Sequence, residues 1–73
     1  MGQELRTRYK IQDMVRVVST TEHSTSWAEG LVGLIREVRF NLIGPKFIVE
    51  VCHPENKMCF QIECFRVKRV KGS

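Results

Sequence analysis

Three observations predict an all-β fold, a small curled antiparallel sheet of four or five short strands. Phe47-Ile48-Val49-Glu50-Val51 carries apolar residues at a period of two, Phe60-Gln61-Ile62-Glu63-Cys64 repeats the pattern, and almost no segment has the helical period. If His53 to Met58 is the turn and Cys52 faces Cys59, then Val51 opposes Phe60, Val49 opposes Ile62, and Phe47 opposes Cys64 on one face. A slip of one residue would send the two apolar sets to opposite faces, so the pattern selects this register. A lone hairpin is marginal in water. Other strands must cover its apolar side, and closure would also hide the sheet edges.

Residues 1–10 form a polar, basic arm with Leu5 and Tyr9, frayed or in one helical turn. Met14 to Val18 is a first strand in which Val15 and Val17 point inward, because the alternate position is Arg16. Ser19 to Glu29 is too long and too polar for a tight turn. It predicts a long excursion with a helical turn near Ser26, where Ser26 and Glu29 have capping-box spacing. Trp27 within it has two readings, a lid over one end of a small core or an exposed recognition residue. Gly30 and Gly33 supply turn dihedrals and close strand approach, and their spacing is not that of a phosphate loop. In Leu34 to Phe40, either 34, 36, 38 and 40 face inward, or Ile35 and Val38 do so across a bulge. Asn41 to Lys46 is a connector with a Gly-Pro turn. Phe65, Val67 and Val70 are spaced by two and then three, which predicts one tight turn leading into a last short strand. Residues 71–73 are a tail.

Seventy-three residues allow one domain, here residues 11–70, with a compact core. No run reaches the length of a membrane span, and the first residues lack a secretory signal's apolar centre. A cytoplasmic location is therefore expected. Twelve Lys plus Arg against eight Asp plus Glu give +4, within the range of ordinary soluble surfaces. Arg6, Arg8 and Lys10 precede the first strand while Arg66, Lys68, Arg69 and Lys71 crowd the end, so adjacent termini would make one basic patch.

The run Met14-Val15-Arg16-Val17, the long loop ending in Gly30-Leu31-Val32-Gly33-Leu34-Ile35, and the segments 47–51 and 60–70 together resemble the SH3-like barrel group. Members of similar layout are KOW-type modules, the variable chain of ferredoxin-thioredoxin reductase and the small barrel of cullin-associated ligase scaffolds. The resemblance implies an SH3-like barrel of five short, mostly antiparallel strands with a long loop after the first. It also implies a binding module without enzyme chemistry of its own, although fold alone does not assign function.

Cys52, His53, Cys59 and Cys64 are the only cluster with ligand chemistry. Cys64 falls on the opposite face, leaving Cys52, His53 and Cys59 as at most three zinc ligands without a Cys-x-x-Cys knuckle, so no metal and no cofactor is assigned. An odd count of three suggests reduced thiols; a Cys52–Cys59 disulfide is within reach across the outer face but disfavoured in a reducing compartment. Cys52 and His53 point to opposite faces and make a poor catalytic dyad. Two binding functions remain. One is docking on an acidic protein surface through His23, Trp27, Arg66 and Lys68. The alternative is nucleic-acid backbone binding through Arg6, Arg8, Lys10, Arg66, Lys68 and Arg69, with Trp27 or Tyr9 stacking on a base. Homo-oligomer scaffolding is a third expectation.

Overall fold

The computed structural model describes residues 9–40 and 42–70. Four strands form, β1 (Met14–Thr20), β2 (Val32–Phe40), β3 (Pro45–Cys52) and β4 (Cys59–Arg69), with a 3-10 helix (His23–Ala28) between β1 and β2. Every neighbouring pair is antiparallel, and the order β1-β2-β3-β4 closes because β4 pairs back onto β1. Among the described residues no helix is long and apolar enough to cross a membrane.

The expected five-stranded SH3-like barrel is thereby corrected to a ring-like sheet of four strands. The turn expected near Phe65 does not form, since β4 runs unbroken for 11 residues. Its first half pairs with β3 and its second half with β1. The bend between them is taken up by register shifts, with Val17 opposite Val67, Ser19 opposite Arg66 and Thr20 opposite Cys64. Ile62 and Cys64 are buried, Phe65 is exposed and Val67 is buried again. A bulge changes the phase of alternation just as a turn would change it, which is why the spacing of 65, 67 and 70 was misleading. The β1–β2 seam is short, spanning only Met14 to Arg16 against Val32 to Leu34. The result is four antiparallel strands closed into a ring with a narrow β1–β2 seam, one strand fewer than expected.

The β3–β4 hairpin has the expected register throughout, from Phe47 opposite Cys64 to Cys52 opposite Cys59. Val49 and Ile62 face each other at its centre and are buried. Val15 and Val17 join them from β1 as expected. In β2 the bulged reading holds. Ile35 is buried opposite Val49, a register shift follows, and Val38 opposite Phe47 packs on the core. Arg36 is the extra residue of that bulge. Gly33 sits where β2 comes closest to β3. A Cβ there would overlap the Glu50 carbonyl oxygen and stand 2.8 Å from Val49 Cγ1 and 2.9 Å from Val51 Cγ2. Gly30, at φ +90°, makes the turn into β2.

Two aromatic residues close the core ends. Tyr9, expected in a frayed arm, packs edge-on against Phe47 with centroids 5.3 Å apart and donates its hydroxyl to the Val67 carbonyl at 3.2 Å. Trp27 packs against the core from the 3-10 helix, whose Ala28 is fully buried. The expected capping box is absent. Glu22 is the N-cap without a side-chain bond, and Glu29 instead ends the helix, its N–H donating to the Ser26 carbonyl.

Candidate functional site

The outer face of the ring follows from the pairing. Alternation turns Val15, Val17, Gly33 and Val49 inward, so Met14 and Arg16 on β1, Val32 and Leu34 on β2, and Glu50 and Cys52 on β3 point outward. Met14 pairs with Leu34, and Leu34 with Glu50. The three apolar residues are 44% (Met14), 40% (Val32) and 38% (Leu34) exposed. With Gly33, Arg36, Glu50 and Cys52 they line a groove of about 360 Å³. The missing side chain at Gly33 lets β2 approach β3, which brings Val32 and Leu34 beside Glu50 and Cys52. Arg36, pushed out by the bulge, pairs with Glu50 at 3.5 Å and frames one side of the groove.

The other side is cationic. Arg16 pairs with Val32 on β2 and with Lys68 on β4, so two positive side chains oppose each other directly. Like charges in that position repel. Among the described residues neither has a carboxylate within ion-pair distance; Arg16 donates from Nη1 to the Gly30 carbonyl at 2.8 Å. Arg66 is exposed two residues back along β4.

The residues expected to act together are divided. Trp27 lies 4.7 Å from the His53 ring and 5.7 Å from Phe60, over the turn end of the β3–β4 hairpin. His23 is exposed at the first position of the same helix. Arg66 lies six residues beyond Phe60 along β4, about 20 Å of extended chain, and Lys68 is further still. Of the basic set, Lys10 is exposed with its backbone N–H on the Asp13 carboxylate, while Arg69 pairs with Asp13 at 3.4 Å and lies over the Tyr9 ring. Tyr9 is half-buried, with Phe47 edge-on to it and Arg69 over its ring. Arg6, Arg8 and Lys71 lie outside the described residues.

The cysteines require a second correction. Cys52 and Cys59 form a disulfide, with Cα atoms 3.8 Å apart, so the reading of three reduced thiols fails for this pair. Their direct opposition in the hairpin brings the sulfurs together. The zinc alternative loses two of its three ligands, and among the described residues no group of three or more His, Cys, Asp or Glu could hold a metal ion. His53 is also engaged, its Nδ1 accepting the Glu55 N–H at 3.1 Å. Cys64 is free and buried. Burial, with smaller contributions from the Glu63 and Glu29 carboxylates, pushes its thiol up to about 12.

The pattern alone marked Arg16 as outward, but nothing in it marked Arg16, Val32 and Lys68 as neighbours. That adjacency exists only once the ring closes. Compared with models of known protein families, with curated proteins and with solved structures, the chain matches none.

Proposed function

We propose that this chain is a non-enzymatic docking module that binds an acidic protein surface with an apolar centre. The apolar centre seats in the groove of Met14, Val32 and Leu34, and the acidic part lies against Arg16, Lys68 and Arg66. The observation that carries the reading is the Arg16–Lys68 pair, without a carboxylate at ion-pair distance among the described residues, beside an exposed apolar groove. An opposing carboxylate would relieve the repulsion, and an apolar side chain would cover the groove. Trp27 then serves the module by closing the core end and need not touch the partner.

A second reading is supported by the same pair. Arg16, Lys68 and Arg66 form a short cationic row suited to phosphates, which makes nucleic-acid backbone binding the competing function. One experiment separates the two: capture from native lysate with and without nuclease, on the unmodified chain and on Val32→Ser/Leu34→Ser. Docking predicts nuclease-resistant capture lost in the double variant. Capture abolished by nuclease and retained by the double variant would replace docking with the nucleic-acid function.

A further inference from the structure

The groove ends at a bond that exchange chemistry can reach. Cys52 and Cys59 are both exposed, and Cys52 lines the groove together with Val32 and Leu34. The cystine staples strand ends that the adjoining turn already holds. His53 N–H donates to the Met58 carbonyl at 2.7 Å, Lys57 N–H to the His53 carbonyl at 3.0 Å, and Met58 N–H to Asn56 Oδ1 at 2.9 Å. Opening the bond therefore leaves the hairpin closed by hydrogen bonds. The third cysteine cannot enter the reaction. Cys64 is fully buried, on the opposite face, with its thiol donating to the Ile62 carbonyl. A protonated buried thiol does not attack a disulfide.

We propose that Cys52–Cys59 is a thiol–disulfide exchange site whose substrate is a polypeptide thiol flanked by apolar residues, seated in the groove and attacking Cys52 Sγ. The proposal rests on the groove being a docking face. The incoming thiolate forms a bond to Cys52 Sγ, the Cys52–Cys59 bond breaks, and Cys59 leaves as a thiolate that takes a proton from water. A second thiol of the same class then attacks the substrate sulfur of the mixed disulfide and releases Cys52 as a thiol. Two substrate thiols are oxidised to one disulfide, and the cystine is reduced by two electrons.

The test uses the oxidised full chain and two seven-residue peptides, each with one central cysteine and two glutamates at one end. One has leucines beside the cysteine and the other has serines. Adducts are quenched with acid early in the reaction and mapped by mass spectrometry, and the single Trp27, packed on His53 and Phe60 next to both cysteines, reports bond opening by its fluorescence. We expect the leucine peptide to react at least tenfold faster, at Cys52, and the advantage to vanish in Val32→Ser. A serine-for-cysteine version of the leucine peptide measures binding without chemistry. If that version binds but adducts fall equally on Cys52 and Cys59, or none form, the exchange site is overturned while docking stands. Equal rates for the two thiol peptides together with no binding overturn both.

Discussion

Arg16 of β1 and Lys68 of β4 stand directly opposite one another in the strand register, two basic residues paired across the outer face. Directly opposed like charges cost roughly 0.2 to 1 kcal/mol. Lys68→Glu should therefore raise stability to urea by about 0.5 kcal/mol at low salt, with the gain disappearing near 1 M salt. The same substitution should abolish binding to an acidic partner. A gain that is independent of salt would mean that the two side chains do not feel each other.

Gly33 leaves no room for a β-carbon between β2 and the Glu50 carbonyl. Gly33→Ala should cost about 1 to 3 kcal/mol, the range for overpacking a filled interior. Gly30, where a β-carbon would meet nothing within 4 Å, provides the contrast because its constraint is a φ of +90°. Equal and small losses at the two positions, read from chemical denaturation, would show that the strands are not so closely apposed.

Trp27 caps one end of the core against His53 and Phe60. Trp27→Ala should destabilise the domain by about 2 to 3 kcal/mol, somewhat below the usual cost of a fully buried tryptophan because the ring is only half-buried. Calorimetry of the variant checks this. An unchanged melting temperature with lost partner binding would reassign Trp27 to recognition.

Cys64 titrates differently in the folded and unfolded chain, moving from an ordinary value of 9.0 to about 12, chiefly through burial. Above pH 9 the unfolded chain loses this proton while the folded chain keeps it. The stabilising contribution is thus complete below pH 9 and is lost progressively as pH rises toward 12, at about 1.4 kcal/mol per unit. Cys64→Ala should be less stable at neutral pH but should fall less steeply over that window. Parallel alkaline slopes in urea titrations of the two proteins would count against a buried thiol.

Reducing Cys52–Cys59, which are seven positions apart, should cost about 2 kcal/mol, as befits a short closed loop. The chain should stay folded, because the turn keeps its own hydrogen bonds. Loss of the β circular-dichroism signal on reduction would assign the cystine a structural role.

The hairpin register was legible from the residues because a side-chain period of two leaves one alignment in which Phe47, Val49 and Val51 share a face with Phe60, Ile62 and Cys64. Inward Val15 and Val17, the helical turn in the Ser/Thr loop and the tight approach at Gly33 were legible for the same local reasons. Local pattern does not distinguish a bulge from a turn, so the merging of two expected strands into β4 was decided by the bend that lets one strand serve both β3 and β1. The disulfide could be placed by register, but its formation could not be told from composition. The outer face is a purely tertiary product: Lys68, Arg16, Val32 and Cys52 come from four different strands, and closing the ring is what puts them side by side.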